Sequence, residues 1–326
     1  MGSFVSERVP ALGGRIKGNR LEAGATFAVV SPASPVLDEA VLFESARLLR
    51  SEGFEITFSE HLNERGGYAA GPPEHRARDL EAAFADPDVD AILCLGGGHA
   101  TGQVLPLLDY DLIAANPKPF VGFSDITGLH AALAREIGLV TFWGPMFAML
   151  GSTSELSRRS LVRALTSSEP LGTVDPAGMP VESLAPGVAE GELLGGTTQI
   201  LCTLMGTPWQ IETRGKILLL EDVRRDPCRI HRDLTQLLNA GLLQQCAGIC
   251  ISEHTECEPD PLRREWNGPT LELEDVLAAT VVPLGIPVLY GLPLGHGRHL
   301  ETVPFGIRAR LDADAGVLEL LEPALV

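Results

Sequence analysis

Apolar positions along the chain follow two rhythms. Short, nearly continuous apolar runs alternate with longer stretches in which apolar side chains recur every three or four residues. Thr26–Val30 (TFAVV), Phe54–Phe58, Asp90–Leu95 (DAILCL), Phe120–Phe123 and Leu139–Phe142 read as strands. Val36–Glu52, Glu74–Ala85 and Asp125–Ile137 read as helices between them. Strands apolar on both faces and separated by helices predict a parallel sheet covered on both sides.

The stretch from Ser167 to Gly187 breaks the pattern. Pro170, Pro176, Pro180 and Pro186 alternate there with Gly172, Gly178 and Gly187, which is the composition of a linker. Beyond it, Lys216–Leu220 (KILLL), Gly248–Ser252 and Pro287–Tyr290 predict strands, with helices over Arg229–Ala240 and Leu271–Thr280. The chain closes on two alternating runs, Ile307–Leu311 and Gly316–Leu321, around the turn residues Asp312-Ala-Asp-Ala-Gly316, a hairpin signature. The organisation expected is an α/β unit over 1–166, a linker over 167–187, and a smaller β/α unit over 188–326.

Composition narrows the function. The 326 residues are 45% hydrophobic and 21% charged, as in soluble globular proteins. Asp and Glu outnumber Lys and Arg by 43 to 25, a net charge of −18, without any basic cluster. A phosphate backbone would be repelled, so no nucleic-acid partner is expected. No window approaches the roughly 18 apolar residues that cross a bilayer, so no membrane partner is expected either. Met1–Arg20 carries Glu7, Arg8, Arg15, Lys17 and Arg20 and lacks the apolar block of a secretory leader.

Six cysteines (Cys94, Cys202, Cys228, Cys246, Cys250, Cys257) lack a disulfide rhythm and fit reduced thiols in a cytosol. Cys246, Cys250 and His254 could be imagined around a metal. However, Cys246–Ile251 reads as a buried strand, and zinc pairs favour a tighter knuckle. No metal is expected.

The most informative segment is Val121-Gly-Phe-Ser-Asp-Ile-Thr127. A strand ends at Phe123, Ser124 falls on the turn, and a helix begins at Asp125. This exposes the hydroxyl at the carboxyl edge of the sheet, beside helix N–H groups suited to an oxyanion. Ile126 stands where the G-x-S-x-G elbow has its last glycine. Taken alone, the segment favours a serine that merely caps the helix.

Cys94-Leu-Gly-Gly-Gly-His-Ala-Thr-Gly102 is a glycine-rich turn whose amides could approach a phosphate or an oxyanion. It matches neither the P-loop nor the dinucleotide loop, and an ordinary strand-to-helix turn would read the same. Glu221 emerges at the end of KILLL, and His296 lies in Gly291-Leu-Pro-Leu-Gly-His-Gly297, with His299 as a competitor. A serine needs a base, and the base needs a carboxylate to fix its tautomer. Three strand ends in the order Ser124, Glu221, His296 would supply that set.

These segments resemble the LD-carboxypeptidases, the family of muramoyltetrapeptide carboxypeptidases and the microcin C immunity peptidase, over nearly the whole chain. The resemblance is carried by several separate motifs. They are Val30-Ser-Pro-Ala-Ser34, Gly97-Gly98, Leu105-Pro-Leu-Leu-Asp-Tyr-Asp111, Pro119–Thr127, Gly138-Leu-Val-Thr-Phe-Trp-Gly-Pro145, Leu218-Leu-Leu-Glu-Asp222, and Gly295-His296 with Pro304-Phe-Gly306. The resemblance implies Ser124 as nucleophile, His296 as general base and Glu221 as its orienting partner. It also implies an oxyanion hole from the backbone N–H of Asp125 and of Gly97 or Gly98. The fold implied is a flavodoxin- or amidotransferase-like N-terminal domain with a smaller β/α C-terminal domain, usually in a homodimer.

The implied substrate is a small peptide or peptide conjugate in the cytoplasm, without metal or organic cofactor. A murein tetrapeptide losing its terminal D-alanine is the leading form. A departure is Gly98-His-Ala-Thr-Gly-Gln103, which with the extended Leu105–Asp111 segment looks more like the immunity-peptidase branch, whose substrate is a peptide–nucleotide antibiotic. Two readings from other classes stay open at this point. One is a non-catalytic anion binder built on Gly96–Gly98; the other is an amidotransferase-like enzyme using Cys94, against which stands the thiol's position inside a buried strand.

Overall fold

The apolar runs of the first half become the strands of one sheet in the computed structural model, which describes residues 14–36, 38–261 and 270–326. The leader-free reading of the N-terminus falls mostly outside these residues. In chain order come β1 (Thr26–Val30), α1 (Glu39–Ser51), β2 (Glu55–Phe58), α2 (Pro73–Ala85), β3 (Ala91–Cys94), α3 (Tyr110–Ala115), β4 (Phe120–Gly122), α4 (Thr127–Glu136), β5 (Thr141–Trp143) and α5 (Glu155–Thr166). β1–β5 are parallel in the order β2-β1-β3-β4-β5. That is the doubly wound flavodoxin order, whose ligands lie beyond the carboxyl ends of the strands. Val29, Ile92, Leu93, Phe120 and Val121 are fully buried, which fits strands covered on both faces.

The second half builds a mixed sheet. It comprises β6 (Gly172–Thr173), β7 (Glu182–Ala185), β8 (Val188–Thr197), α6 (Thr198–Thr203), β9 (Ile217–Glu221), α7 (Pro227–Asn239), β10 (Gly248–Ser252), α8 (Leu273–Thr280), β11 (Val288–Leu292), β12 (Val303–Phe305), β13 (Arg308–Asp312) and β14 (Val317–Leu320). β8, β9, β10 and β11 are parallel and central. β13, β14 and β6 extend one side antiparallel, and β7 closes the other. α7 starts where its sequence says it should. Pro227 opens it and the Asp226 carboxylate caps the Cys228 N–H, while Ile230, Leu234 and Leu237 face the core.

The Pro- and Gly-rich stretch 167–187 supplies β6 and β7, the two edge strands of this sheet. Edge positions tolerate prolines and glycines that a central strand would reject. The two halves are also stitched together. β12, from the far end of the chain, pairs antiparallel with β5 at the edge of the first sheet, where Pro304 costs no ladder bond that an inner strand would need. At the C-terminus, Val326 exchanges backbone hydrogen bonds with Gly18 and Arg20 at 3.1 and 3.0 Å.

Candidate active site

The carboxyl ends of both parallel ladders point into one cleft. β1, β3 and β4 deliver Ser31–Ser34, Gly96–Gly98 and Ser124. β8, β9, β10 and β11 deliver Thr197, Glu221, Glu253 and the loop 291–297.

Ser124 has a φ of +62°, a left-handed conformation uncommon for a residue with a side chain. The strain is held in place from both sides. Thr127 Oγ1 donates to the Ser124 carbonyl at 2.7 Å, and Thr101 Oγ1 donates to the Asp125 carbonyl at 2.7 Å. The Asp125 carboxylate turns away from the cleft and accepts from the Thr101 N–H at 3.0 Å. Ile126, where an elbow motif would carry its last glycine, is instead buried against Gly122. The Ser124 hydroxyl makes no cap to the short 3₁₀ turn that it opens, nor to α4 behind it. The capping reading fails because the left-handed backbone aims the hydroxyl into the cleft.

What meets the hydroxyl is His296. Its Nε2 lies 3.2 Å from Ser124 Oγ, and its Nδ1 lies 2.6 Å from Glu221 Oε1. A carboxylate can only accept, so Nδ1 carries the proton and Nε2 presents its lone pair to the serine. Glu221 is wholly buried, and its second oxygen accepts from Thr197 Oγ1 at 2.8 Å. The Thr197 N–H in turn donates to Thr127 Oγ1 at 3.0 Å. One threonine therefore ties the carboxylate to the helix behind the serine. The His296 ring also packs on Phe123, with centroids 4.4 Å apart.

The histidine loop is fixed by neighbours of its own. Trp143 Nε1 donates to the Leu294 carbonyl at 2.8 Å, across the two sheets. Glu253 accepts from the Leu294 and Gly297 N–H groups at 3.1 and 3.2 Å. Burial, above all, pushes the Glu253 carboxyl up to about 7. Asp222, beside Glu221, is pushed up to about 8, first by burial and then by the charge of Glu221. At neutral pH Asp222 is largely uncharged.

Gly97 flanks the serine closely. A Cβ at this position would lie 3.0 Å from Ser124 Cβ and 3.1 Å from Oγ. The Gly97 carbonyl is turned back to accept from the Ser34 N–H at 3.1 Å. The other sequence candidates lie elsewhere. His299 Nδ1 pairs with Ser154 Oγ at 2.8 Å at the start of α5, not with Ser124. Cys94 is buried in β3, where desolvation raises its thiol well above the ordinary value. Cys250 is likewise buried in β10, and Cys246 Sγ donates to the Leu242 carbonyl.

Thr197, Thr127 and Glu253 went unread in the sequence. Thr197 ends β8, a strand that no apolar run announces because Gly191, Gly195 and Gly196 interrupt it. Those glycines have a tertiary reason. With φ of +145° and +140°, side chains at Gly195 and Gly196 would strike the Leu219 carbonyl at 2.0 Å and Thr127 Oγ1 at 2.4 Å.

Residues 27–144 match the LD-carboxypeptidase N-terminal domain, and residues 190–311 match the LD-carboxypeptidase C-terminal domain. A probable murein peptide carboxypeptidase of Bacillus subtilis is 37% identical, covering 93% of this chain and 96% of its own. The murein tetrapeptide carboxypeptidase of Pseudomonas aeruginosa is 34% identical, covering 88% of this chain and 93% of its own. Among solved structures, the microcin C7 self-immunity protein MccF in complex with aspartyl sulfamoyl adenosine superposes with a TM-score of 0.84. It shares 25% identity over 95% of this chain and 100% of that one.

Proposed function

The chain belongs to the LD-carboxypeptidase family, and from that premise we propose that it is a serine carboxypeptidase cutting an amide bond next to a free carboxyl terminus. The substrate we assign is a murein tetrapeptide, cleaved at its L,D bond with release of D-alanine. The observation that carries this reading is the unbroken chain of hydrogen bonds from Ser124 through His296 to Glu221 and Thr197.

In that reading, Ser124 Oγ attacks the carbonyl while His296 Nε2 takes its proton. The tetrahedral oxyanion falls to the backbone N–H groups of Asp125 and of Gly97 or Gly98. His296 returns the proton to the departing amino group of D-alanine, and water then resolves the acyl-enzyme by the same route. Glu221 stays ionised, holds the ring and stabilises the imidazolium. The strained backbone at Ser124 supports this role, because such strain concentrates where geometry must be pre-set. Six cysteines, none of them in a disulfide among the described residues, support a reducing, cytoplasmic setting. A homodimer is the assembly we assign with it.

The murein substrate is favoured by the two murein-named relatives, at 37% and 34% identity, over MccF at 26%. The test is mass spectrometry of a tetrapeptide panel and an aspartyl-nucleotide conjugate, each incubated with the wild type and with Ser124→Ala. Loss of one D-alanine by the wild type alone supports the assignment. Cleavage of the conjugate with the tetrapeptides left intact transfers it to the immunity-type reaction. Wild-type turnover by Ser124→Ala removes the mechanism.

A further inference from the structure

Outside the cleft, the loop between β2 and α2 brings two histidines face to face. His61 and Glu64 lie on the loop and His75 in the first turn of α2. The rings of His61 and His75 are 4.2 Å apart between centroids. One nitrogen or oxygen from each of His61, Glu64 and His75 lies within 4.8 Å of the other two. We propose that these three side chains form a binding site for a divalent transition-metal ion of the Zn²⁺ type, with Asp79 as an outer carboxylate that orients His61.

The donor set matches that chemistry. Imidazole nitrogens with one carboxylate suit zinc and its neighbours, whereas Mg²⁺ and Ca²⁺ take oxygen ligands. His61 is already oriented as a ligand. Its Nδ1 lies 2.7 Å from Asp79 Oδ1, and its backbone N–H donates to Asp79 Oδ2 at 3.0 Å. Asp79 only accepts, so the proton sits on Nδ1 and the lone pair of Nε2 is free to bind. A carboxylate behind a ligating imidazole is a recurrent device that fixes the tautomer and raises ligand basicity.

His75 Nδ1 and Glu64 Oε2 stand 2.9 Å apart. Bonds of 2.0–2.1 Å in a tetrahedron separate ligand atoms by about 3.3 Å, so a metal ion would replace the proton this pair now shares. The remaining adjustment falls on side chains able to make it. Those of His75 and Glu64 are 34% and 36% exposed, while His61 at 12% and Asp79 at 7% are held. Two histidines and one glutamate leave a fourth position for water.

The site lies on a loop that reaches the cleft. The Ala70 N–H donates to the Ala33 carbonyl at 2.9 Å, and the Tyr68 ring meets His99, next to Gly98, edge-on at 6.3 Å. A bound ion would cross-link this loop to α2 and hold Tyr68 at the mouth of the substrate site.

The experiment uses the full-length, untagged protein stripped with a chelator. Calorimetric titration with Zn²⁺ and visible absorption with Co²⁺ are run on the wild type, on His75→Ala/Glu64→Gln and on Asp79→Asn. The wild type is expected to bind one ion tightly, with tetrahedral Co²⁺ bands and a rise in Tm on adding Zn²⁺. The double variant should lose the bands and bind at least tenfold more weakly. Asp79→Asn should weaken binding about 10–100-fold, the usual effect of an outer-shell change. His75 and Glu64 are partly exposed, so the double variant should keep the wild-type circular dichroism spectrum and peptidase activity without metal. Absence of Co²⁺ bands in the wild type, or Zn²⁺ binding unchanged in the double variant, would overturn the site. Neither the Zn²⁺ titration nor the Co²⁺ spectrum depends on peptidase turnover.

Discussion

Replacing Thr197 with valine tests the link between the triad and its support. The substitution keeps the branched shape and the backbone N–H bond to Thr127, and removes the hydroxyl that donates to Glu221 Oε2 at 2.8 Å. Glu221 has no exposed surface, so water cannot take the place of the lost donor. A hydrogen bond to a buried charged group contributes about 1.5–3 kcal/mol net. At about 1.4 kcal/mol per tenfold, kcat/KM should drop roughly 10- to 150-fold if the carboxylate's poise governs proton transfer by His296.

Because Thr197 is assigned no contact with substrate, the loss should appear in kcat with KM nearly unchanged. The assay is D-alanine release from a tetrapeptide, with Tm measured alongside to separate catalysis from folding. Thr198→Val serves as the control, since that hydroxyl donates to the Glu221 backbone carbonyl, at 3.2 Å, rather than to its carboxylate. It should cost about threefold or less, as a weak neutral bond would. A Thr197→Val enzyme within about twofold of the wild type would refute the view that this donor tunes the triad.

Three further outcomes follow. Ser124→Gly should melt above Ser124→Ala, reversing the usual order by about 1 kcal/mol, because only glycine adopts a φ of +62° freely; equal Tm values would mean that the turn is unstrained. His296→Ala should lose at least about 10³-fold in kcat while His299→Ala stays within a few-fold, and equal losses would break the assignment of the base. Glu253 titrates near 7 in the fold against 4.5 for a free carboxyl, so the native state holds a proton that the unfolded chain releases. Its contribution is complete below about pH 4.5 and declines as pH rises to about 7, at roughly 1.4 kcal/mol per unit and about 3 kcal/mol in all. Thermal melts of Glu253→Gln should therefore fall less than the wild type's between about pH 5 and pH 7.5, and parallel curves would sink the claim.

The inner strands of the first sheet, β1, β3, β4 and β5, were legible because each is a run of apolar residues buried on both faces, whereas β2 is a mostly exposed edge strand. Ser124, Glu221 and His296 were legible because chemistry-bearing residues followed such runs or sat between glycines. β8 was not, since its three glycines answer to the backbone of β9 and to Thr127 rather than to any local pattern. Thr197 was hidden with it. Glu253 gave no signal for a related reason: its partners are N–H groups some 40 positions downstream, and nothing near it in the chain marks them. The strand at 303–305 went unread; it forms around Pro304 because it lies at an edge. The prolines of 167–187 spoke for a linker for the same reason.

The stitching of the two halves has a consequence for biosynthesis. β5 cannot gain its outer neighbour until residues 303–305 have been made, and the backbone of Gly18 and Arg20 waits for Val326, more than 300 positions away. Pairings this distant form late and slowly. The first sheet is therefore completed only after the strand bearing Glu221 and the loop bearing His296 have been made, and the cleft between the halves is assembled late in folding.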